Sequence, residues 1–161
     1  MTALDKGSFR HAMSHFASGV TVMTTTAAGR MHGMTVSAFA SQSLDPLLIL
    51  VSVERSTTMH QLVMESRAFA INILDEDGEG TARFFADNAR LARPEFKEGA
   101  YHLGITGAPI LEEATAYLEA TLDRTLDAGD HTVMVGRVVA LRVVRDAAPL
   151  IYYRSGYRGL A

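Results

Sequence analysis

The residue types most able to support chemistry lie in four short segments of this 161-residue chain. In the first, Gly33–Pro46, small hydroxyl side chains alternate with small apolar ones where a core strand would normally carry larger apolar residues. Small side chains allow a planar ligand to lie against the backbone, whose N–H and C=O groups then bind its heteroatoms. The alternative is the polar outer face of a hairpin, and the residue types alone favour it.

The other three segments also combine a chemical and a structural interpretation. Ser52–Thr58 leads from a buried strand into a hydroxyl-rich helix start, which could bind phosphate or simply cap the helix. Gly129–His131 places a histidine where a turn meets a strand, either at a pocket rim or on an ordinary surface. Tyr152–Arg158 alternates aromatic and cationic residues, which could stack on a base, pair with phosphate, or form a packed edge strand.

Several kinds of site and partner are not expected from this sequence. It contains no Cys, so a disulfide, a thiolate metal site and a cysteine nucleophile are excluded. The glycine-rich dinucleotide motif, the P-loop and the G-x-S-x-G motif do not occur. His11 and His15 are four residues apart on one predicted helix, but two imidazoles are too few ligands, and we expect no metal site.

Charge and hydropathy restrict partners and location further. The net charge of −3, without a basic stripe, argues against nucleic-acid binding. The longest apolar run, Leu47–Val51, is far too short to span a membrane. The segment Met1–His15 is polar and lacks the apolar region of a signal peptide, so a cytoplasmic location is expected.

Strands dominate the elements that must position the four segments. β-Branched and alternating stretches predict strands at residues 20–26, 33–40, 47–53, 68–74, 117–126, 131–144 and 149–154. Gly136 is expected to bend the long strand that contains it. Strands that follow one another in runs, with few helices, favour an antiparallel barrel or sandwich rather than a βαβ sheet.

Three short helices are predicted beside these strands. The first has an apolar face expected to point into the core, made of Phe9, Ala12, Met13 and Phe16. The second is capped by Ser56 or Thr57, and its core-facing residues are Met59, Leu62 and Val63. The third opens in the acidic stretch 75–79, and residues 87–107 are expected to be irregular.

Taken together and in order, the segments resemble the flavin reductase component of two-component flavin-dependent monooxygenases. The matching stretches are Phe9–Met13, Phe16–Val22, Gly33–Phe39, Ser43–Pro46, Phe69–Leu74, Phe85–Ala86, Gly129–His131 and Pro149–Arg154. The resemblance covers nearly the whole chain and implies one flavin reductase-like domain over residues 1–161. It also implies an FMN-binding split β-barrel, mainly β with short helices.

The resemblance implies roles for particular residues. The flavin ring and ribityl chain would be lined, largely through the backbone, by Thr35, Val36, Ser37 and Ala38. Two residues would lie by the ring or the phosphate arm, Ser41 and Gln42. The phosphate would be held by Ser52, Ser56, Thr57 and Thr58, with Arg83, Arg90 and Arg93 as further candidate partners. His131 would lie on the nicotinamide side.

The implied activity is hydride transfer from NADH or NADPH to FMN or FAD, with reduced flavin passing to a separate oxygenase. No catalytic side chain is required, because the cofactors carry the chemistry. Members of this family are typically homodimers whose flavin site lies near the subunit interface. Two alternatives stay open: a flavin-binding or carrier protein without reductase turnover, and a split-barrel oxidase acting on a pyridoxal-type substrate.

Overall fold

The structure, a computed structural model, describes residues 4–92 and 95–160. The helices are α1 (Lys6–Met13), α2 (Thr58–Ser66) and α3 (Glu79–Ala86). The strands are β1 (Ser18–Gly19), β2 (Thr21–Ala27), β3 (Arg30–Val36), β4 (Phe39–Leu44), β5 (Leu47–Glu54), β6 (Ala68–Ile73), β7 (Tyr101–Leu103), β8 (Pro109–Leu111), β9 (Ala116–Ala128), β10 (His131–Val143), β11 (Ile151–Tyr153) and β12 (Gly156–Arg158). The prediction of a mainly β chain with short helices is confirmed.

Seven strands form one antiparallel sheet in the order β3-β2-β6-β9-β10-β5-β4. Its two edge strands, β3 and β4, are consecutive in the chain and are joined only by Ser37 and Ala38. Because successive Cα atoms are about 3.8 Å apart, Val36 and Phe39 lie within about 11 Å of each other. The two edges of the sheet therefore meet at this connection, which we call the Ser37–Ala38 junction.

The main core is formed by side chains of this sheet and of α2. Its completely buried side chains include Met23, Val51, Phe69, Ile71 and Met134. Helix α2 adds its apolar face, in which Met59, Leu62 and Val63 are buried as the helical spacing predicts. Arg67 ends this helix in the left-handed conformation, with φ of 59°, and its N–H donates to the Val63 carbonyl.

A second apolar cluster lies under α3. It is formed by Val20, Val22, Leu74, Ala82, Phe85, Leu111, Ala114 and Leu150. The cluster packs α3 and the C-terminal residues Leu150 and Tyr157 against Val22 of β2. A Cβ on Gly33 would lie 2.5 Å from the Phe85 ring, so only glycine permits this approach of α3 to β3.

Gly136, where a bend was predicted, lies opposite a bulge of the neighbouring strand β9. The pairing of β10 with β9 shifts register between Val135 and Gly136 because Asp123 of β9 is an extra residue, whereas both residues of β10 pair with β5 without a shift. A Cβ on Gly136 would lie 2.6 Å from the Phe69 ring and 2.9 Å from Ala120 Cβ. Glycine is therefore needed here because the strand passes directly over the core.

Two predictions about the elements were wrong. The face predicted for the first helix does not point into the core: Phe9, Met13 and Phe16 are 64%, 51% and 72% exposed, and Ala12 is exposed as well. This terminal segment is held through polar contacts instead, since Arg154 N–H donates to the Ser14 carbonyl at 2.8 Å. The strand expected at 33–40 is also divided, because the chain leaves β2 after Val36 and pairs with β5 from Phe39 onwards.

The region 87–107 is only partly irregular. A 3₁₀ turn spans Asn88–Ala92, and β7 pairs with β8 in a two-stranded ribbon. Within the described residues, no helix is long and apolar enough to cross a membrane.

Candidate functional site

The Ser37–Ala38 junction exposes backbone donors at the point where the two sheet edges meet. Both residues are exposed. Their carbonyls are engaged, because Phe39 N–H donates to Ser37 O and Ser52 N–H donates to Ala38 O, each at 2.9 Å. Their own N–H groups donate to no described residue. The junction therefore offers two adjacent N–H groups to a ligand.

A groove, which we call the Ser37 groove, runs along the junction and consists of three adjoining cavities. The first, about 310 Å³, lies between Phe16, Ser37 and Phe39. It meets a second cavity of about 220 Å³ at Ser37, and the second meets a third of about 280 Å³ at Tyr152 and Tyr157. Its extent is in the range of small-molecule and cofactor sites.

An aromatic wall forms the far part of the Ser37 groove. Tyr152 and Tyr157 face each other across β11 and β12, with ring centroids 5.4 Å apart. The Arg83 guanidinium lies 5.0 Å from the Tyr157 ring centroid and forms an ion pair with Glu79 at 2.7 Å. Burial raises the pKa of Tyr157, and the neighbouring Tyr152 raises it further, so the Tyr157 phenol stays protonated. These groups can stack on a planar ring and pair with an anion.

The four residues predicted to line the flavin ring differ in what they expose. Thr35 lines the groove, but its hydroxyl donates to the Ala82 carbonyl at 2.7 Å. The Val36 side chain lies in the core, and its carbonyl accepts from the Thr21 hydroxyl. Ser37 and Ala38 are thus the two whose backbone is open to a ligand.

Ser41 and Gln42 lie further along β4, both exposed. The pairing of β4 with β5 shifts between Ser41 and Ser43, so Gln42 is the extra residue of a bulge. A bulge turns a side chain out of the regular alternation. Ser41 and Gln42 are therefore close to the junction along the chain, but neither residue lines the Ser37 groove.

The hydroxyls at the start of α2 are partly engaged already. Thr57 caps the helix, since its Oγ1 accepts from His60 N–H at 3.2 Å and donates to the Glu54 carbonyl at 2.7 Å. Ser56 Oγ donates to Glu54 Oε1 at 2.8 Å. Thr58 is the first residue of the helix, and Ser52 is linked to the junction through Ala38.

His131 adjoins the α2 start through the sheet. It pairs with Glu54 across β10 and β5, and Arg55 N–H donates to the Asp130 carbonyl at 3.0 Å. The His131 Nδ1 atom lies 2.7 Å from Asp130 Oδ1, and this hydrogen bond lowers the pKa of Asp130. A histidine that donates from Nδ1 presents Nε2 outward.

The structure thus connects the four segments into two neighbouring regions. The Ser37 groove combines the first and fourth segments, while the α2 start combines the second and third. Ser52, bonded to Ala38, lies between them.

The three candidate arginines have different surroundings. Arg83 is exposed in the Ser37 groove. Arg90 is 2% exposed and donates to the Gly33 carbonyl, so it is not available to a ligand at the surface. Arg93 lies outside the described residues.

Arg90 belongs to a buried polar cluster behind β3, which we call the Glu95 cluster (His32, Arg90 and Glu95). Glu95 Oε1 lies 2.7 Å from His32 Nδ1, and Oε2 accepts from Gly33 N–H at 3.2 Å and lies 3.5 Å from Arg90 Nε. Burial raises the pKa of Glu95, but these hydrogen bonds and charges outweigh it and hold that pKa below its ordinary value. The cluster fixes β3 two residues before Thr35.

The sequence did not indicate that Phe16, predicted as a core residue, belongs to the same groove as Ser37, whereas Arg83 was a candidate ligand from the start. Phe16 follows α1, Arg83 belongs to α3 and Ser37 lies at the β3–β4 junction, and long-range packing brings these segments together. The exposure of Phe16 is the observation that identifies it as a groove residue rather than a core residue.

Comparison with known proteins identifies the family of the chain. The family model "Flavin reductase like domain" matches residues 13–161. A "Flavin reductase" from Pseudomonas putida is 32% identical over 161 residues, covering 99% of this chain and 93% of the relative. An "NADH-dependent flavin reductase" from Rhodococcus sp is 38% identical over 154 residues, covering 94% and 84%.

Two solved structures are similar over nearly their full length. The flavin reductase component of a bacterial two-component tryptophan halogenase superposes with a TM-score of 0.90 at 37% identity, covering 97% of this chain and 98% of that one. A Streptomyces globisporus NADH:FAD oxidoreductase in complex with NAD and FAD fragments gives 0.91 at 32%, covering 98% and 93%. The chain therefore belongs to the flavin reductase-like domain family.

Proposed function

We propose that this chain is an NAD(P)H:flavin oxidoreductase that transfers hydride from NADH or NADPH to FMN or FAD and supplies reduced flavin to a separate monooxygenase. The observation that carries the proposal is the pair of N–H groups at the Ser37–Ala38 junction, which lies along a groove with an aromatic wall. Relatives named as NADH-dependent flavin reductases and as reductase components of monooxygenases support it.

The residues at the junction fit the edge of a flavin ring. The N–H groups of Ser37 and Ala38 would donate to ring heteroatoms, and their small side chains would leave room for a planar group. Thr35 and Val36 would shape the backbone beside the ring. Ser41 and Gln42 would contact the ring or the phosphate arm.

The flavin phosphate is proposed to lie at the start of α2. Helix N-termini bind phosphate through free N–H groups and the positive end of the helix dipole. Thr57 would act mainly as the cap, while Ser52, Ser56 and Thr58 would donate hydroxyls once Ser56 turns away from Glu54. Arg83, in the Ser37 groove, is the competing cation.

A bound flavin would supply the hydride acceptor, and the protein would supply position. His131, held at Nδ1 by Asp130, would orient the nicotinamide through Nε2. The Ser37 groove would exclude water and hold the donor against the junction. Correct orientation of two bound reactants is itself a large source of rate acceleration.

A closed split barrel and a homodimer are part of the proposal, with the chain acting as one domain over residues 1–161. The sheet edges that meet at the junction support closure. Val139, Leu141 and Val143 are exposed at alternating positions of β10 and would be covered by a second copy. Size-exclusion chromatography with light scattering should give a mass twice that of the 17.4 kDa chain, whereas a monomer at all concentrations would contradict the homodimer.

The first experiment follows loss of the absorbance of reduced nicotinamide. NADH and NADPH are each tested with FMN, FAD and riboflavin, so that one matrix gives both preferences. Oxidation that depends on enzyme and flavin is expected. No oxidation above background with any pair would refute the reductase, and flavin retention through gel filtration would then favour the carrier alternative.

The role of His131 has a matched control in the chain. His131→Ala should raise the KM for the nicotinamide about tenfold, the loss of one good hydrogen bond, and leave flavin affinity unchanged. His102 is another exposed histidine whose Nδ1 lies 2.7 Å from a carboxylate, that of Glu112. His102→Ala should change neither constant. An unaltered KM and kcat in His131→Ala would remove His131 from the site.

The phosphate position is tested by comparing FMN with riboflavin, which lacks the phosphate. The double variant Ser56→Ala/Thr58→Ala should weaken FMN binding by about 1–3 kcal/mol and leave riboflavin binding unchanged. Arg83→Met serves as the parallel variant. If Arg83→Met weakens FMN binding and the double variant does not, the phosphate lies in the Ser37 groove instead.

A further inference from the structure

A second cavity, which we call the α3 cavity, lies apart from the Ser37 groove and has a volume of about 260 Å³. Its walls are formed by Gly80, Phe84, Phe85, Phe96, Ala100 and Leu111. We infer that the α3 cavity binds a neutral aromatic molecule about the size of indole that carries one hydrogen-bond donor. This inference does not depend on the proposed function.

The shape and lining of the cavity suit an aromatic ring. The Phe84 and Phe85 rings meet edge to face with centroids 5.0 Å apart, and Phe85 and Phe96 are 5.5 Å apart. Phe85 and Leu111 are buried at its floor, while Gly80 and Ala100 are exposed at its mouth. An apolar cavity of about 150 Å³ already holds benzene, so the α3 cavity has room for two fused rings.

Polar groups at the cavity select the charge of the ligand. Glu113 contributes a carboxylate and Lys97 an ammonium, while the carboxylate of Glu95 is already paired with the buried Arg90. Glu113 accepts from the Thr81 hydroxyl, and a carboxylate has capacity for further donors. A ligand N–H or O–H can therefore be accepted by Glu113, whereas an aromatic carboxylate would be repelled by Glu113 and has no donor to offer it.

The cavity is not a gap in the main core, and its floor is held in place. The Phe85 ring lies against Gly33, and Glu95 accepts from the Gly33 N–H. Both residues are thereby fixed to β3 before any ligand binds. A preformed apolar site of this kind loses little conformational entropy when it is filled.

Indole is the probe for a direct test. The chain has no Trp, so indole excited at the red edge of its absorption, beyond that of the five tyrosines, is observed without protein background. Apo protein, free of flavin, should bind one indole with a dissociation constant of about 1 mM or lower, seen as a rise in anisotropy. No saturable binding up to about 10 mM would overturn the inference.

Gly80 offers matched variants, because a Cβ at this position would meet no atom within 4 Å. Gly80→Leu should fill the cavity and weaken indole binding at least tenfold, while Gly80→Ala should change it less than twofold. Ala100→Leu fills the cavity from its other side and replaces Gly80→Leu if that variant does not fold. Equal binding in the wild type and the Leu variants would place indole elsewhere and overturn the inference.

Two competition experiments complete the test. Excess FMN should not displace indole, since displacement would put the probe in the Ser37 groove and refute the α3 cavity as its site. Phenylacetate, of similar size but anionic, should bind at least tenfold more weakly than indole. Tighter binding of phenylacetate would refute the proposed neutral ligand class.

Discussion

Glu95→Gln tests whether the Glu95 cluster holds β3 in place. The substitution keeps the size of the side chain and removes its negative charge. Arg90, whose side chain is 2% exposed, would then be a buried cation without its counter-charge. Removing one partner of a buried ion pair costs about 3–5 kcal/mol, mostly because the remaining charge is left unpaired.

The lower part of that range is expected here, because a glutamine oxygen can still accept from His32 or from the Gly33 N–H. We therefore expect the free energy of unfolding to fall by about 3 kcal/mol. In a domain of this size, 1 kcal/mol corresponds to about 2–4 °C, so the melting temperature should fall by about 6–12 °C. Urea unfolding followed by circular dichroism measures the free energy directly.

Glu112→Gln is the matched control. Glu112 also accepts from a histidine, His102 Nδ1 at 2.7 Å, but both side chains are more than half exposed. Glu112→Gln should lower the free energy of unfolding by no more than about 0.5 kcal/mol. The double variant Glu95→Gln/Arg90→Met should recover part of the stability, since no buried charge is left. Equal, small effects of Glu95→Gln and Glu112→Gln would refute the reasoning.

Three further predictions concern stability. Thr57→Ala should cost about 1 kcal/mol in urea unfolding through loss of the α2 cap, and Thr57→Ser should restore it. Gly136→Ala should lower the free energy of unfolding by about 1–3 kcal/mol because its methyl group would meet the Phe69 ring. An unchanged urea midpoint would show that the surrounding core side chains move aside without loss of stability. Because the folded pKa of Glu95 lies below its ordinary value of 4.5, its contribution is complete above pH 4.5 and is lost as pH falls through the folded value. Wild-type stability should therefore decline more steeply than that of Glu95→Gln below pH 4.5, which acid titration of unfolding measures.

Local sequence patterns predicted the elements well where the deciding interactions are local. A cap at Ser56 or Thr57 was predicted and Thr57 provides it, and the buried spacing of Met59, Leu62 and Val63 is found. Both features depend on residues within about one turn of helix. The resemblance carried the remaining information on family and chemistry.

Features that depend on distant partners were not predictable in this way. The apolar face of α1 was recognised, but periodicity does not say what covers such a face, and Phe9 is exposed. The break at Ser37–Ala38 arises because the neighbouring strand changes from β2 to β5, which local β propensity does not report. Nothing in the sequence around Arg90 indicates that its side chain is buried beside Glu95.

The two-residue link between the sheet edges has a consequence for local opening. β3 and β4 each pair with one neighbouring strand, so their outer amides lack a second strand to shield them. A flavin bound at the Ser37–Ala38 junction would clamp both edges at once and slow their separation. Ligand binding raises the cost of opening in proportion to the logarithm of ligand concentration over Kd. Hydrogen exchange should therefore slow most in β3 and β4 when FMN is added. The flavin would act as a reversible link between the two edges of the sheet.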